Sequence, residues 1–120
     1  ARDAYERAVD LCEKDLALRP RDPNTLAILA ASYAKLGDRR RAMNLASMAI
    51  EIGSDDAYAL YIAGVALEIA GARDRALEAL LRSFDRGYSL EEAKKDPELR
   101  EIAKDRRLAP RLAATEKSGT

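Results

Sequence analysis

The sequence predicts an all-α chain of antiparallel helix-turn-helix units, stacked in succession and followed by a shorter C-terminal helical segment. Three observations predict it. The first is composition: 24 of the 120 residues are Ala, charged residues make up 35%, and aromatics only 5%. Ala, Leu, Glu, Lys and Arg lose least on entering a helix, whereas the β-branched and aromatic residues that favour strands are scarce. The second is a recurrence at 34 residues, seen first in the turn Leu36-Gly37-Asp38-Arg39 and again in Ala70-Gly71-Ala72-Arg73. The third is a set of helix start and stop signals that punctuate the chain in the same register.

Sliding residues 23–56 onto 57–90 gives seven identities. They pair Leu26 with Leu60, Ile28 with Ile62, Gly37 with Gly71, Arg39 with Arg73, Arg41 with Arg75, Ala42 with Ala76, and Gly53 with Gly87. Moving back by the same interval sets Ala8 under Ala42 and Leu16 under Ile50. Helices are expected at roughly 3–18, 24–36, 39–52, 56–70 and 73–86 from these signals. The first carries Tyr5, Val9, Cys12 and Leu16 on an apolar side. The second starts at Asp22-Pro23, a cap followed by Pro at the first helical position. Gly37 and Gly71 suit the positive-φ position that ends a helix. Ser54, Asp55 and Asp56 supply caps for the fourth helix. Small residues at Ala30, Ala42, Gly64 and Ala76 let the two helices of each hairpin approach closely.

These residues resemble the tetratricopeptide repeat family. The first full repeat supplies Leu26, Leu29-Ala30, Tyr33, Gly37, Ala42, Ala46 and Ala49; the second supplies Leu60, Ala63-Gly64, Leu67, Gly71, Ala76, Leu80 and Ser83. A half repeat before them supplies Ala8, Cys12, Asp15 and Pro20. The family's closing Pro is absent at Ser54 and Tyr88, and Ala46 is smaller than usual. The resemblance implies a right-handed α-solenoid: 1–22 as the second helix of a truncated repeat, 23–56 and 57–90 as full repeats, and 91–114 as capping helices. The domain is then 1–114, with 115–120 a frayed tail. The missing first helix and the absence of an initial Met lead us to expect that the protein continues N-terminally.

Beyond Gly87 the pattern changes. Ser89-Leu90-Glu91-Glu92 is a capping box that starts a short helix, and Asp96-Pro97 starts another. Leu99, Ile102 and Ala103, then Leu108 and Leu112, continue an apolar stripe past Pro110. Closing an otherwise open stack is the expected role. The stretch from Arg86 to Leu99 is similar to the ending of many bacterial tetratricopeptide arrays. Such endings close signalling proteins, so the chain is alternatively the regulatory C-terminal tail of a bacterial serine/threonine kinase or related enzyme with its catalytic domain upstream.

Function classes are narrowed by what is missing. There is no His, which removes the commonest general base and the commonest metal ligand. One Cys allows no internal disulfide and no multi-cysteine zinc site. Cys12 reads as a buried small hydrophobe, and Glu91/Glu92, Asp55/Asp56 and Glu98/Glu101 as charges at helix starts or on exposed faces. No Gly-rich phosphate loop occurs. Lys plus Arg and Asp plus Glu both total 21, so the net charge is zero. That balance makes Arg39-Arg40-Arg41 a solvated edge in preference to a nucleic-acid contact. The longest apolar run, 57–67, is too short to span a bilayer. The expectation is a non-catalytic, cytoplasmic interaction module without cofactor or metal. It would hold a protein or peptide partner and not nucleic acid, membrane or a small-molecule substrate.

In the family, first helices line a concave face where the partner lies. By register that face carries Asn24, Ala27, Ile28, Ala31 and Lys35 from one helix, and Tyr58, Tyr61, Ile62, Val65 and Glu68 from the next. Chaperone-binding members place Lys and Asn there to clamp a terminal carboxylate; Ala27, Ala31, Tyr61 and Val65 leave no such clamp here. Tyr combines contact area with a polar tip, so the face suits an amphipathic or extended apolar segment. Tyr61, Ile62 and Val65 have a second reading, in which they pack against Ala31 and the C-terminal segment. The uncovered first helix also allows self-association.

Overall fold

Local signals set most helix boundaries. A computed structural model gives the fold over residues 1–118, the residues it describes. Its α-helices are α1 (Arg2–Leu18), α2 (Pro23–Lys35), α3 (Arg39–Ile52), α4 (Ala57–Ile69), α5 (Arg73–Asp85), α6 (Leu90–Lys95) and α7 (Ala109–Ser118). Two short 3-10 turns, Pro97–Leu99 and Ile102–Lys104, lie between α6 and α7. No strand occurs among the described residues, and none of their helices is long and apolar enough to cross a membrane.

The caps act through backbone hydrogen bonding at the helix starts. Asp38 accepts from the Arg41 N–H at 3.2 Å, Asp56 from Ala59 at 3.1 Å, and Ser89 from Glu92 at 3.1 Å. Asp22 behaves differently: its Oδ2 accepts from the Thr25 hydroxyl at 2.6 Å and caps no backbone N–H. Pro23 supplies no N–H, which leaves one donor fewer to satisfy there. The turns after α2 and α4 have the same geometry. Gly37 and Gly71 both sit at φ 87°, and the next residue donates back five positions: Asp38 N to Tyr33 O at 2.9 Å, Ala72 N to Leu67 O at 2.8 Å. That bond closes the helix end on a residue in the left-handed region. Gly53 and Gly87, paired in sequence, differ in conformation, with φ −101° at Gly53 and 102° at Gly87.

Packing follows the small residues. α2 packs against α1, α3 and α4, and α4 packs against α2, α3, α5 and the Pro97–Leu99 turn. Ala30, Ala42, Ala46, Ala49, Ala63 and Ala76 have no exposed surface. At Gly64 a Cβ would lie 2.9 Å from Leu80 Cδ2, so α4 and α5 approach closely there and a larger residue would have to displace Leu80. Leu26, Leu67, Leu77, Leu80 and Phe84 form one core with Leu99, Ile102, Leu108 and Leu112. The C-terminal segment therefore belongs to the core.

Where the apolar spacing of 97–104 suggested a helix, the chain makes two single turns. Asp105 stops the second with an extended ψ of 131°, and its Oδ1 accepts from the Arg107 N–H at 2.9 Å. Leu99 and Ile102, one in each turn, nevertheless reach the core. Of the expected tail at 115–120, residues 115–118 continue the α7 backbone, and 119 and 120 lie outside the described residues.

Candidate partner-binding face

The face expected to bind a partner lies on α2 and α4, which run side by side in the core. Its ten residues divide sharply by exposure. Ile28 and Tyr58 are exposed, at 37% and 45%. Asn24, Ala31 and Ile62 are half-buried, and Ile62 and Ala31 pack against the core. Asn24 keeps its Oδ1 buried with no hydrogen-bond partner among the described residues. Ala27, Tyr61 and Val65 are buried, at 0%, 2% and 7% exposure. Tyr61 and Val65 thus follow their second reading, packed inside the chain, and Ala27, expected on the open face, is also part of the core.

The reason for the burial of Tyr61 is the chain's own C-terminal segment. The Tyr61 ring stacks on Tyr88, with centroids 3.8 Å apart and planes within 5°. Its hydroxyl donates to Asp96 Oδ2 at 2.6 Å. Asp96 Oδ1 meanwhile accepts from the Glu98 N–H at 3.0 Å, so one carboxylate both starts the Pro97–Leu99 turn and anchors it to α4. Burial, reinforced by the bond to Asp96, pushes the Tyr61 phenol well above its ordinary value. Burial also raises Tyr88.

Ion pairs hold the same segment from both sides. Lys35, exposed on α2, pairs with Glu98, and the bond to that carboxylate raises the Lys35 ammonium above its usual range. Glu68 is occupied too. Arg73 grips it with Nε and Nη2, both at 2.9 Å, while Nη1 lies 3.8 Å from Asp105 Oδ2. Arg107 forks onto Asp105 at 3.0 Å and reaches Asp74 at 2.8 Å. Those bonds from Arg107 lower the Asp105 carboxyl to about 2. Farther along, Arg111 pairs with Asp85 at 2.9 Å.

Tyr88, Asp96, Glu98 and Asp105 thus decide which part of the face stays open, and none stood among the expected site residues. For Asp96 a signal existed, since Asp-Pro marks a helix start; that mark describes one carboxylate oxygen and says nothing of the other. Tyr88 occupies the position where the family pattern has Pro, and that departure was its only trace.

Elsewhere, Cys12 is buried at 8% exposure, and burial, with the Asp15 and Glu13 carboxylates, raises its thiol. A thiol shifted that way is a poor nucleophile at neutral pH. No group of three or more His, Cys, Asp or Glu side chains among the described residues is placed to hold a metal ion. Arg39, Arg40 and Arg41 are all exposed; Arg41 lies 3.6 Å from Asp38 and 5.3 Å from the centre of the Tyr33 ring. Tyr33 in turn donates to Glu13 of α1 at 2.8 Å. Compared with family models and with curated proteins, the chain matches neither a model nor a protein.

Proposed function

We propose that this chain is a tetratricopeptide-type, non-catalytic interaction module that holds an apolar segment of a partner protein on the open part of the α2–α4 face. The observation carrying this reading is the pair Ile28 and Tyr58. Large apolar side chains stand exposed on neighbouring helices whose other residues, Lys35 apart, are buried or half-buried. The 34-residue register, the matching turns at Gly37 and Gly71, and the side-by-side placement of α2 and α4 support the repeat assignment. Half-buried Ala31 and Ile62 extend the apolar strip, and Tyr58 gives it a hydroxyl with which to orient a backbone.

Peptides selected from a random library against the immobilised chain test the reading. The expected result is apolar sequences whose affinity drops about tenfold or more in Ile28→Asp and in Tyr58→Asp, with no loss in Arg40→Asp. Selected peptides that bind both face variants as tightly as the parent would refute it.

A further inference from the structure

The repeat supplies an internal control for α1. Leu11 and Leu18 stand 65% and 83% exposed on it. Their counterparts 34 residues on, Leu45 and Ile52 of α3, are partly buried against the core. The difference is neighbours: α3 packs against both α2 and α4, whereas α1 packs against α2. On α1, Cys12 is buried and Leu16 packs against the core. Leu11 and Leu18, seven residues apart with Ala4 seven before, form a second stripe on the adjoining side.

We propose that this stripe pairs with the same stripe of a second copy, antiparallel and two-fold symmetric about Leu11. In that register Leu11 meets its own copy and Ala4 lies opposite Leu18, small against large. Arg7 lies opposite Asp15, twice by symmetry. Both charged side chains are exposed and form no ion pair among the described residues. Asp15 argues for a copy of α1 over a neighbour that packs as α2 does on α3. Its counterparts in the repeats are Ala49 and Ser83, each with no exposed surface. A carboxylate buried so completely without a cation is costly, and the copy's Arg7 provides one. Helix α1 has 17 residues, about 25 Å, and one helix pair of that length buries less than a standard interface. The dimer is therefore weak and concentration-dependent.

Sedimentation equilibrium between about 10 µM and about 1 mM reads the association directly, and charge swaps read the register. Arg7→Asp and Asp15→Arg are each expected to weaken dimerisation about tenfold or more, because each sets like charges opposite one another twice. The double variant restores the pairs and should return to within about threefold of the parent. All three alter exposed side chains, and unchanged helicity by circular dichroism verifies folding. A chain that stays monomeric at the highest concentration overturns the proposal. So does a dimer indifferent to both swaps, a double variant that fails to recover, or a longer form of the chain whose added helix covers Leu11 and abolishes association.

Discussion

The C-terminal segment and α1 both pack against the central helices and are joined to them in opposite ways. Leu99, Ile102 and Leu108 are at most 1% exposed, and Asp96, Glu98, Asp105 and Arg111 bond or pair with side chains on α4, α2 and α5. On α1 only the small Cys12 is buried, while Leu11 and Leu18 face water. A helix packed between neighbours carries apolar surface on more than one side. After α5 the chain covers that surface with irregular turns; on α1 part of it stays open. The contrast teaches that cover by a distant segment, more than helix type, decides which apolar side chains stay exposed.

Truncating side chains at matched apolar positions is the strongest way to break the comparison. Ile102→Ala should lower unfolding stability by about 3 kcal/mol, since the side chain is fully buried and leaves a cavity. Leu11→Ala should change it by no more than about 0.5 kcal/mol in dilute solution. Urea titrations measure both, and similar losses would remove the distinction.

A smaller effect sharpens it. Tyr61→Phe keeps the ring on Tyr88 but deletes the bond to Asp96, at an expected cost of about 1–2 kcal/mol. The pH dependence follows from the raised phenol. Unfolded tyrosine ionises near its ordinary value of 10.0, whereas the folded side chain keeps its proton beyond that. Above pH about 10 the unfolded chain therefore binds fewer protons, and stability falls as pH rises. Stability measured at pH about 9 and about 11 should fall less in Tyr61→Phe than in the parent. Some loss remains from Tyr33 and Tyr88, which are also raised.

Helix boundaries were legible because their causes are local. Asp38, Asp56 and Ser89 bond to N–H groups three residues on, and Gly37 and Gly71 act on the turn in which they stand. Which of the two readings of the face holds, open or packed against the C-terminal segment, was not legible. Asp96 reaches Tyr61 from 35 residues away, and Glu98 reaches Lys35 from 63. Periodicity names the side of a helix a residue occupies, but not which distant segment comes to lie on it. Hence Ile28 and Tyr58 stayed exposed while Tyr61 and Val65, in the same register, went into the core. The 3-10 turns escaped too: three apolar residues at helical spacing do not reveal that Asp105 will end the segment.

Native-state hydrogen exchange tests the closed-versus-open contrast most directly, amide by amide. Protection at Asp105 and Leu108, whose N–H groups bond to Ile102 and Asp105 carbonyls, should approach that of α4 and α5. Amides of α1 should exchange through local opening, about tenfold or more faster than those of α4. Rapid exchange at 99–112 together with an α1 as protected as α4 would contradict the assignment of the C-terminal segment as the part that closes the core.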